Sequence, residues 1–157
     1  MTYDVALICK NGHLINSYYR KYPEDNSAFC PQCGASTVHE CPHCQKEIKG
    51  HNTGECSYIF DYHIPAYCEF CGHPYPWTES ALQNAKSLIF EEEELSESLK
   101  NSVIESLPDI ITETPGTNLA VVRIKRCLAS AGKFTADAVR QFVIDFGCEL
   151  AKKSLGL

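Results

Sequence analysis

The pattern of apolar and polar positions changes near Trp77, about halfway along the chain. Before this residue, short alternating runs rich in aromatic and β-branched residues predict strands over 2–8, 14–20, 36–40 and 57–67. After it, apolar residues recur every three or four positions, which is the period of an amphipathic helix. The pattern therefore predicts an α+β protein with a β-rich front half and a helical back half.

Capping residues divide the helical half. Thr78 is a candidate N-cap for the first helix, which we expect to continue through Leu95 and Leu99, because Glu91–Glu94 would be unfavourable at a helix C-terminus. Pro108 is expected to end the segment before it. Thr117 and Thr135 are candidate caps of two more helices. The predicted inner faces carry Ala81, Ala85, Leu88, Ile89, Val121, Ile124, Leu128, Val139, Phe142, Val143, Phe146 and Leu150.

Composition divides the chain at the same point, which predicts two domains, 1–76 and 77–157. All eight Tyr, all six His and eight of the ten Cys lie at or before Tyr75, and only Leu7 and Leu14 precede Trp77. A segment of this size with so few aliphatic residues buries little apolar surface on folding. Metal binding can supply the missing stability.

Four closely spaced ligand pairs lie in the front half. Three have the form C-x-x-C, in which a tight turn directs two sulfurs at one point, as tetrahedral Zn²⁺ requires. The fourth pair flanks Asn11-Gly12, the strongest signal for a type I′ hairpin turn. Gly34 and Gly72 directly follow the second cysteine of their C-x-x-C loops, called knuckles below, where positive φ is often needed. Eight donors predict two structural zinc ions, with no catalytic residues. The pairs are Cys9/His13, Cys30/Cys33, Cys41/Cys44 and Cys68/Cys71.

The spacing leaves two pairings open. In the favoured one, which rests on the geometry of ribbons and closed sites, a short zinc ribbon binds one ion through Cys30, Cys33, Cys41 and Cys44. The seven residues between Cys33 and Cys41 suit this pairing and the crossed one equally. A treble-clef-like site then binds the other through Cys9, His13, Cys68 and Cys71, beside the helix that starts near Thr78. The crossed alternative joins Cys9/His13 with Cys41/Cys44 and Cys30/Cys33 with Cys68/Cys71, as in RING-type ligase domains.

Other candidate sites have simpler interpretations. The string His39-Glu40-Cys41-Pro42-His43 matches the H-E-x-x-H protease signature, but proline opposes the helix that this signature needs. Cys56, His51, His63 and His73 are alternative ligands, each more typical of packing or surface positions. Cys127 and Cys148 are expected to be buried free thiols on helices. Trp77 is expected to pack the first helix against the zinc unit.

Charge and targeting signals limit the function. Residues 1–80, 81–115 and 116–157 carry net charges of −4, −6 and +4, and an acidic zinc-binding half disfavours binding to a phosphate backbone. No stretch is apolar enough for a signal peptide or a membrane span, and reduced thiols favour a cytoplasmic protein.

The strings ICKNGHLIN, FCPQCG, CPHCQKEIKG and AYCEFCGHPYPWTE, followed by a helical tail, resemble a bacterial zinc-ribbon family that is known only as a domain of unknown function. The resemblance implies a bacterial cytosolic zinc protein without an established activity. We expect a non-catalytic interaction or adaptor protein, which binds a protein partner or a second copy through the helical half. The alternatives are a nucleic-acid-binding zinc-ribbon regulator and a RING-like component of a ligase system.

Overall fold

The computed structural model of the protein describes residues 2–54 and 61–157. The chain forms two compact units, Met1–Ser80 and Ala81–Leu157. The first contains small β-sheets and the Cys-rich loops, and five helices lie in the described part of the C-terminal half. This architecture confirms the predicted α+β class. The predicted domain boundary after residue 76 lies four residues before the boundary between the units.

The described strands of the first unit form two antiparallel sheets. The strands are β1 Tyr3–Val5, β2 Leu7–Cys9, β3 Leu14–Asn16, β4 Thr37–Val38 and β5 Lys49–Asn52. One sheet has the order β3-β2-β4 and the other pairs β1 with β5. Ala6 lies between β1 and β2, and its N–H donates to the Ile48 carbonyl oxygen at 2.8 Å.

A small core is combined with buried polar groups in this unit. Ala6, Ile8 and Ile48 are fully buried, and they share a cluster with Tyr75 and Trp77. Beside them, the buried Asp4 carboxylate accepts hydrogen bonds from three backbone N–H groups. The donors are Val5 at 2.6 Å, Arg20 at 2.9 Å and Lys21 at 3.1 Å.

The predicted strands were partly wrong. The strand predicted over 14–20 ends at Asn16, because the Asn16 side-chain amide donates to the Tyr22 carbonyl at 2.9 Å and holds a polar loop in place of further sheet. Of the run 57–67, residues 57–60 lie outside the described residues, and within 61–67 only Tyr67 forms a bridge, with Pro74.

The strand β5 was not predicted, because its polar residues lack apolar alternation. Its Gly50 passes so close to the chain that an added Cβ would lie 2.4 Å from the Ser17 carbonyl oxygen. The strand therefore depends on close backbone approach, which a hydrophobic pattern does not encode.

The helices begin earlier than their predicted caps. The first starts at Pro76, because proline suits the first turn of a helix, and Thr78 is buried within that turn. It ends at Glu91 and does not continue, since Ser96 caps a new helix by accepting the Leu99 N–H at 3.2 Å. The helices are α1 Pro76–Glu91, α2 Glu97–Ile111, α3 Thr117–Ser130, α4 Lys133–Phe146 and α5 Glu149–Leu155.

Pro108 does not end α2, which continues to Ile111. Proline lacks an N–H but keeps its carbonyl, and this oxygen accepts the Thr112 N–H at 3.2 Å. The prediction was wrong because a proline in the last turn leaves the end of the helix intact.

The second unit has its own hydrophobic core. Val121, Ile124, Val139 and Val143 are buried in it, as their helical spacing predicted. Phe146 was also predicted on an inner face, and this was wrong. It is 39% exposed, because α4 ends there and a separate α5 follows. Within the described residues, no helix has the length and apolar character needed to cross a membrane.

Candidate metal centres

The three C-x-x-C loops share one backbone conformation. In the first, the Cys30 N–H donates to the Ala35 carbonyl at 2.8 Å, and the Cys30 carbonyl accepts the Gly34 N–H at 2.8 Å. A bridge between Phe29 and Ser36 closes the loop at its base. The same bonds recur from Cys41 to Lys46 and Gln45, and from Cys68 to His73 and Gly72.

Each loop turns through a residue with positive φ directly after its second cysteine. Gly34 and Gly72 take this position with φ of 74° and 75°, which confirms the prediction for both. The middle loop places Gln45 there, with φ of 59°. A side chain in this conformation carries steric strain that glycine avoids.

The Cys9–His13 loop is a hairpin of a different type from the one predicted. The Cys9 carbonyl accepts the Gly12 N–H at 2.9 Å, and the Cys9 N–H donates to the His13 carbonyl at 3.0 Å. Gly12 has φ of 91°, whereas Asn11 is not among the described residues with positive φ. These features fit a three-residue loop closed by glycine, not a type I′ turn. The hairpin still presents Cys9 and His13 together.

Backbone N–H groups point at the sulfurs. The Gln32 N–H lies 3.4 Å from Cys30 Sγ, and the His13 N–H lies 3.3 Å from Cys9 Sγ. N–H donors stabilise a thiolate more than a thiol, so these loops are already shaped for anionic sulfur.

The first cluster consists of Cys9, His13, Cys30 and Cys33. Its ligand atoms all lie within 4.8 Å of one another. His13 Nδ1 is 3.5 Å from the sulfurs of both Cys9 and Cys30, and the sulfurs of Cys9 and Cys33 are 3.8 Å apart.

The second cluster consists of Cys41, Cys44, Cys68 and Cys71, also within 4.8 Å. The sulfurs of Cys41 and Cys71 are 3.7 Å apart, as are those of Cys44 and Cys68. A tetrahedron with metal–sulfur bonds of about 2.3 Å has edges of about 3.8 Å, and a sulfur–nitrogen edge is about 3.5 Å. Both clusters therefore fit a tetrahedral metal ion, and at these separations none of the paired sulfurs is bonded as a disulfide.

Neither pairing expected from the sequence is present. The favoured pairing joined Cys30/Cys33 with Cys41/Cys44, but the structure places these knuckles in different clusters. The expected group of Cys9, His13, Cys68 and Cys71 is likewise divided, and the crossed arrangement does not occur in the described residues. Each cluster instead combines two successive ligand pairs. The treble-clef-like site is therefore not formed, because Cys68 and Cys71 do not share a cluster with Cys9 and His13.

The short strand β4 explains the correction. It pairs with β2 through Ile8 with Val38 and Cys9 with Thr37, and the Lys10 N–H donates to the Ser36 carbonyl at 3.0 Å. This pairing brings the knuckle before β4 against the Cys9–His13 hairpin. The knuckle after β4 leaves from the opposite end of the strand, where it meets Cys68 and Cys71.

Local hydrogen bonds give the metal-free thiols unequal pKa values. The Ala35 backbone N–H and the Asn11 amide lower the pKa of Cys33 to about 6. Burial acts to raise the pKa of Cys68, but backbone N–H groups, including that of Phe70, outweigh it and lower the pKa to about 6.

Another thiol of the second cluster, Cys71, holds its proton more strongly. The His73 backbone N–H favours the thiolate of Cys71, but burial and the neighbouring sulfurs prevail and raise its pKa to about 12. A divalent cation that binds here displaces this proton, so metal binding is coupled to proton release.

Three contacts around the clusters were missed from the sequence. The Asn11 side-chain amide lies 3.3 Å from Cys33 Sγ, although Asn11 was interpreted only as a turn residue. The His43 and His73 rings stack at 3.9 Å and connect the two loops of the second cluster. Burial raises the pKa of Tyr75, and its hydrogen bond with the Cys68 side chain raises it further. Short-range spacing carries no signal for such contacts between distant residues.

The other candidate histidines have different roles. His39 stacks on Tyr19 at 4.6 Å and lies in a loop, so the H-E-x-x-H string lacks its helix. His51 Nδ1 lies 2.7 Å from the Ser17 hydroxyl, and His63 lines a shallow pocket. None of these, nor His73, is a member of the clusters found among the described residues.

The remaining cysteines lie outside both clusters. Cys127 is buried in the core of the second unit, and burial raises its pKa to about 11. Cys148 is half-buried at the start of α5, not inside a helix. Cys56 lies outside the described residues.

Comparison with known proteins locates the chain at the level of the family. No curated protein and no solved structure matches it. A family model described as "Uncharacterized protein conserved in bacteria (DUF2321)" matches residues 2–155, nearly the whole chain. The chain, which carries the two clusters described above, therefore belongs to this bacterial family.

Proposed function

We propose that the protein is a non-catalytic interaction module of the bacterial cytoplasm whose first unit is held together by two structural Zn²⁺ ions. The observation that carries this proposal is the donor set: each cluster offers four protein ligands at tetrahedral spacing. A catalytic zinc ion usually keeps one position for water or substrate, whereas four protein ligands fill the coordination sphere. Thiolate and imidazole donors favour zinc over calcium or magnesium.

The position of the two clusters supports a structural role for the ions they would bind. Each cluster joins two hairpin loops that are distant in sequence, and Cys41 and Cys68 belong to the same buried cluster as Ile8 and Ile48. Structural zinc contributes about 10–16 kcal/mol in zinc-finger peptides. Such a contribution can replace the aliphatic core that this unit lacks.

The helical unit offers surface for a protein partner or a second copy of the chain. Phe134 is 80% exposed, Leu119 is 54% exposed, and Val122 and Ile144 are also exposed. Contiguous exposed apolar side chains are typical of contact surfaces, and Leu119 and Val122 share one face of α3 because they lie three residues apart in it. Sedimentation or light scattering of the purified protein tests self-association, and Phe134→Ser is expected to weaken any dimer found.

Nucleic-acid binding has less support. Several cations of the first unit are engaged within the chain: Arg20 pairs with Glu47, and Lys49 lies 3.4 Å from Glu69 and 4.6 Å from the centre of the Tyr3 ring. Cations committed in this way contribute little to phosphate binding. The ligase alternative depended on crossed ligand pairing, so it has lost its specific argument.

Metal analysis of matched variants tests the proposal. We expect two zinc ions per wild-type chain, one in Cys68→Ser, and two in Cys127→Ser, which removes a buried thiol that belongs to neither cluster. Zinc content near zero in freshly purified wild-type protein, or equal content in the two variants, would refute the structural-zinc model.

A further inference from the structure

The two metal clusters differ in how open they are to solvent. Cys33 is exposed, while its partners Cys9 and Cys30 are buried. In the second cluster Cys41 and Cys68 are buried, and Cys44 and Cys71 are half-buried. Cys33 is therefore the most exposed cysteine of either cluster, and the two cysteines that share its cluster are buried.

The donor sets also indicate that the first cluster holds its ion less firmly than the second. The first cluster has three sulfurs and one imidazole nitrogen, so the loss of two sulfurs would leave one thiolate and one neutral ligand. The second has four sulfurs, and its two loops are also joined by the stacked rings of His43 and His73. We expect the first cluster to release its ion more readily once a sulfur has reacted.

One effect works in the opposite direction. Four thiolates on a divalent ion carry more negative charge than three, which makes the sulfurs of the second cluster intrinsically more nucleophilic. Reaction also requires contact with the reagent, however, and the buried sulfurs of that cluster are shielded from it. We therefore expect access to decide which cluster reacts first.

We propose that Cys33 is a modification site for oxidants of the peroxide class, through which the first cluster releases its metal while the second keeps its own. This inference rests on the proposed zinc sites and adds a regulatory role to one of them. The Cys33 sulfur attacks a peroxide oxygen and the O–O bond breaks, which gives a sulfenic acid and, after protonation, water. Peroxide receives the two electrons that the sulfur loses.

A second thiolate of the same cluster completes the reaction. Cys9 Sγ lies 3.8 Å from Cys33 Sγ, and attack on the sulfenic sulfur forms a disulfide and releases hydroxide, which becomes water on protonation. In total, two thiolates, one hydrogen peroxide and two protons give one disulfide and two water molecules. The cluster then lacks two of its four donors and can no longer hold the ion.

Asn11 modulates the reactivity of this sulfur. Its side-chain amide lies 3.3 Å from Cys33 Sγ, and an N–H donor withdraws electron density from a thiolate. Loss of an outer-shell bond of this kind changes metal-site properties by about tenfold or more. Asn11→Ala should therefore accelerate metal release, whereas Lys10→Ala, in the same exposed turn, should not.

The test uses full-length protein whose content of two zinc ions has first been verified. Hydrogen peroxide is added and zinc release is followed with a chromogenic chelator, while tandem mass spectrometry locates the oxidised cysteines. We expect one ion to leave about tenfold faster than the other, with oxidation first at Cys33. In Cys33→His, which keeps four donors, the fast phase should disappear.

Three outcomes would overturn the inference. They are a single rate constant for both ions, first oxidation within the second cluster, and a release rate for Asn11→Ala no higher than that for Lys10→Ala. Failure of the proposed function would be seen earlier and separately, as a preparation that contains fewer than two zinc ions. If both ions were released at one rate, the proposal of two structural zinc sites would still stand, and only the peroxide-sensitive role of Cys33 would be refuted.

Discussion

Replacement of Gly12 by alanine tests how the first cluster is positioned. Gly12 has φ of 91°, and an added Cβ would lie 3.0 Å from Trp77 Cβ and 3.3 Å from Trp77 Cγ. The tryptophan cannot move away easily, since its ring N–H donates to the Pro65 carbonyl at 2.9 Å and the ring stacks on Tyr75 at 4.9 Å. The substitution therefore combines backbone strain with steric crowding.

Gly34→Ala is the matched control, because it isolates the strain. Gly34 directly follows Cys33 of the same cluster and has φ of 74°, but an added Cβ there would meet no atom within 4 Å. A left-handed conformation costs a residue with a side chain about 1–2 kcal/mol. Crowding in a packed site adds about 1–3 kcal/mol. We expect Gly34→Ala to lower the free energy of unfolding by the first amount and Gly12→Ala by the sum of both.

The assay is urea unfolding at a fixed free zinc concentration, because metal binding to the folded state contributes to the measured stability. Trp77 is the only tryptophan in the chain and is 6% exposed, so its fluorescence reports on the first unit. If Gly12→Ala destabilised the protein no more than Gly34→Ala, the contact between the Gly12 turn and Trp77 would contribute nothing to stability, and the argument from crowding would be wrong.

Three other predictions use the same measurements. Gln45→Gly should raise the unfolding free energy by about 0.5–1 kcal/mol, because it relieves a non-glycine residue with φ of 59°; an unchanged or lower value contradicts this. Glu92→Gln should lower the melting temperature at pH 7, and Glu93→Gln should not. Hydrogen bonds from Thr135 and from backbone N–H groups, including that of Gly132, lower the pKa of Glu92, so its carboxylate stabilises the folded state. Since that pKa lies below its ordinary 4.5, the difference should persist above pH 4.5 and disappear as the pH falls through the lowered value. A chelator should shift the Trp77 fluorescence emission to longer wavelength, while far-UV circular dichroism keeps most of its helical signal, because the second unit has its own core. If the helical signal were lost together with the emission shift, that separate core would be contradicted.

The ligands were predictable from the sequence because each pair is local. Residues three or four positions apart in a tight turn are placed by the turn itself, so Cys30 and Cys33 converge whatever the rest of the chain does. Helical periodicity is similarly local, and it correctly identified Val121, Ile124, Val139 and Val143 as core residues. The change in the period of apolar positions near Trp77 was enough to predict the α+β class.

The tertiary structure alone decided which pairs share a metal ion. That choice depends on the pairing of β4 with β2, two very short strands whose residues are about thirty positions apart. Two or three residues carry too little hydrophobic pattern to specify a partner strand. The spacing between Cys33 and Cys41 suited both the ribbon and the crossed grouping, and neither is formed. The exposure of Cys33 and its contact with Asn11 also arise only when these strands pair, because burial and contacts between distant residues are properties of the folded chain.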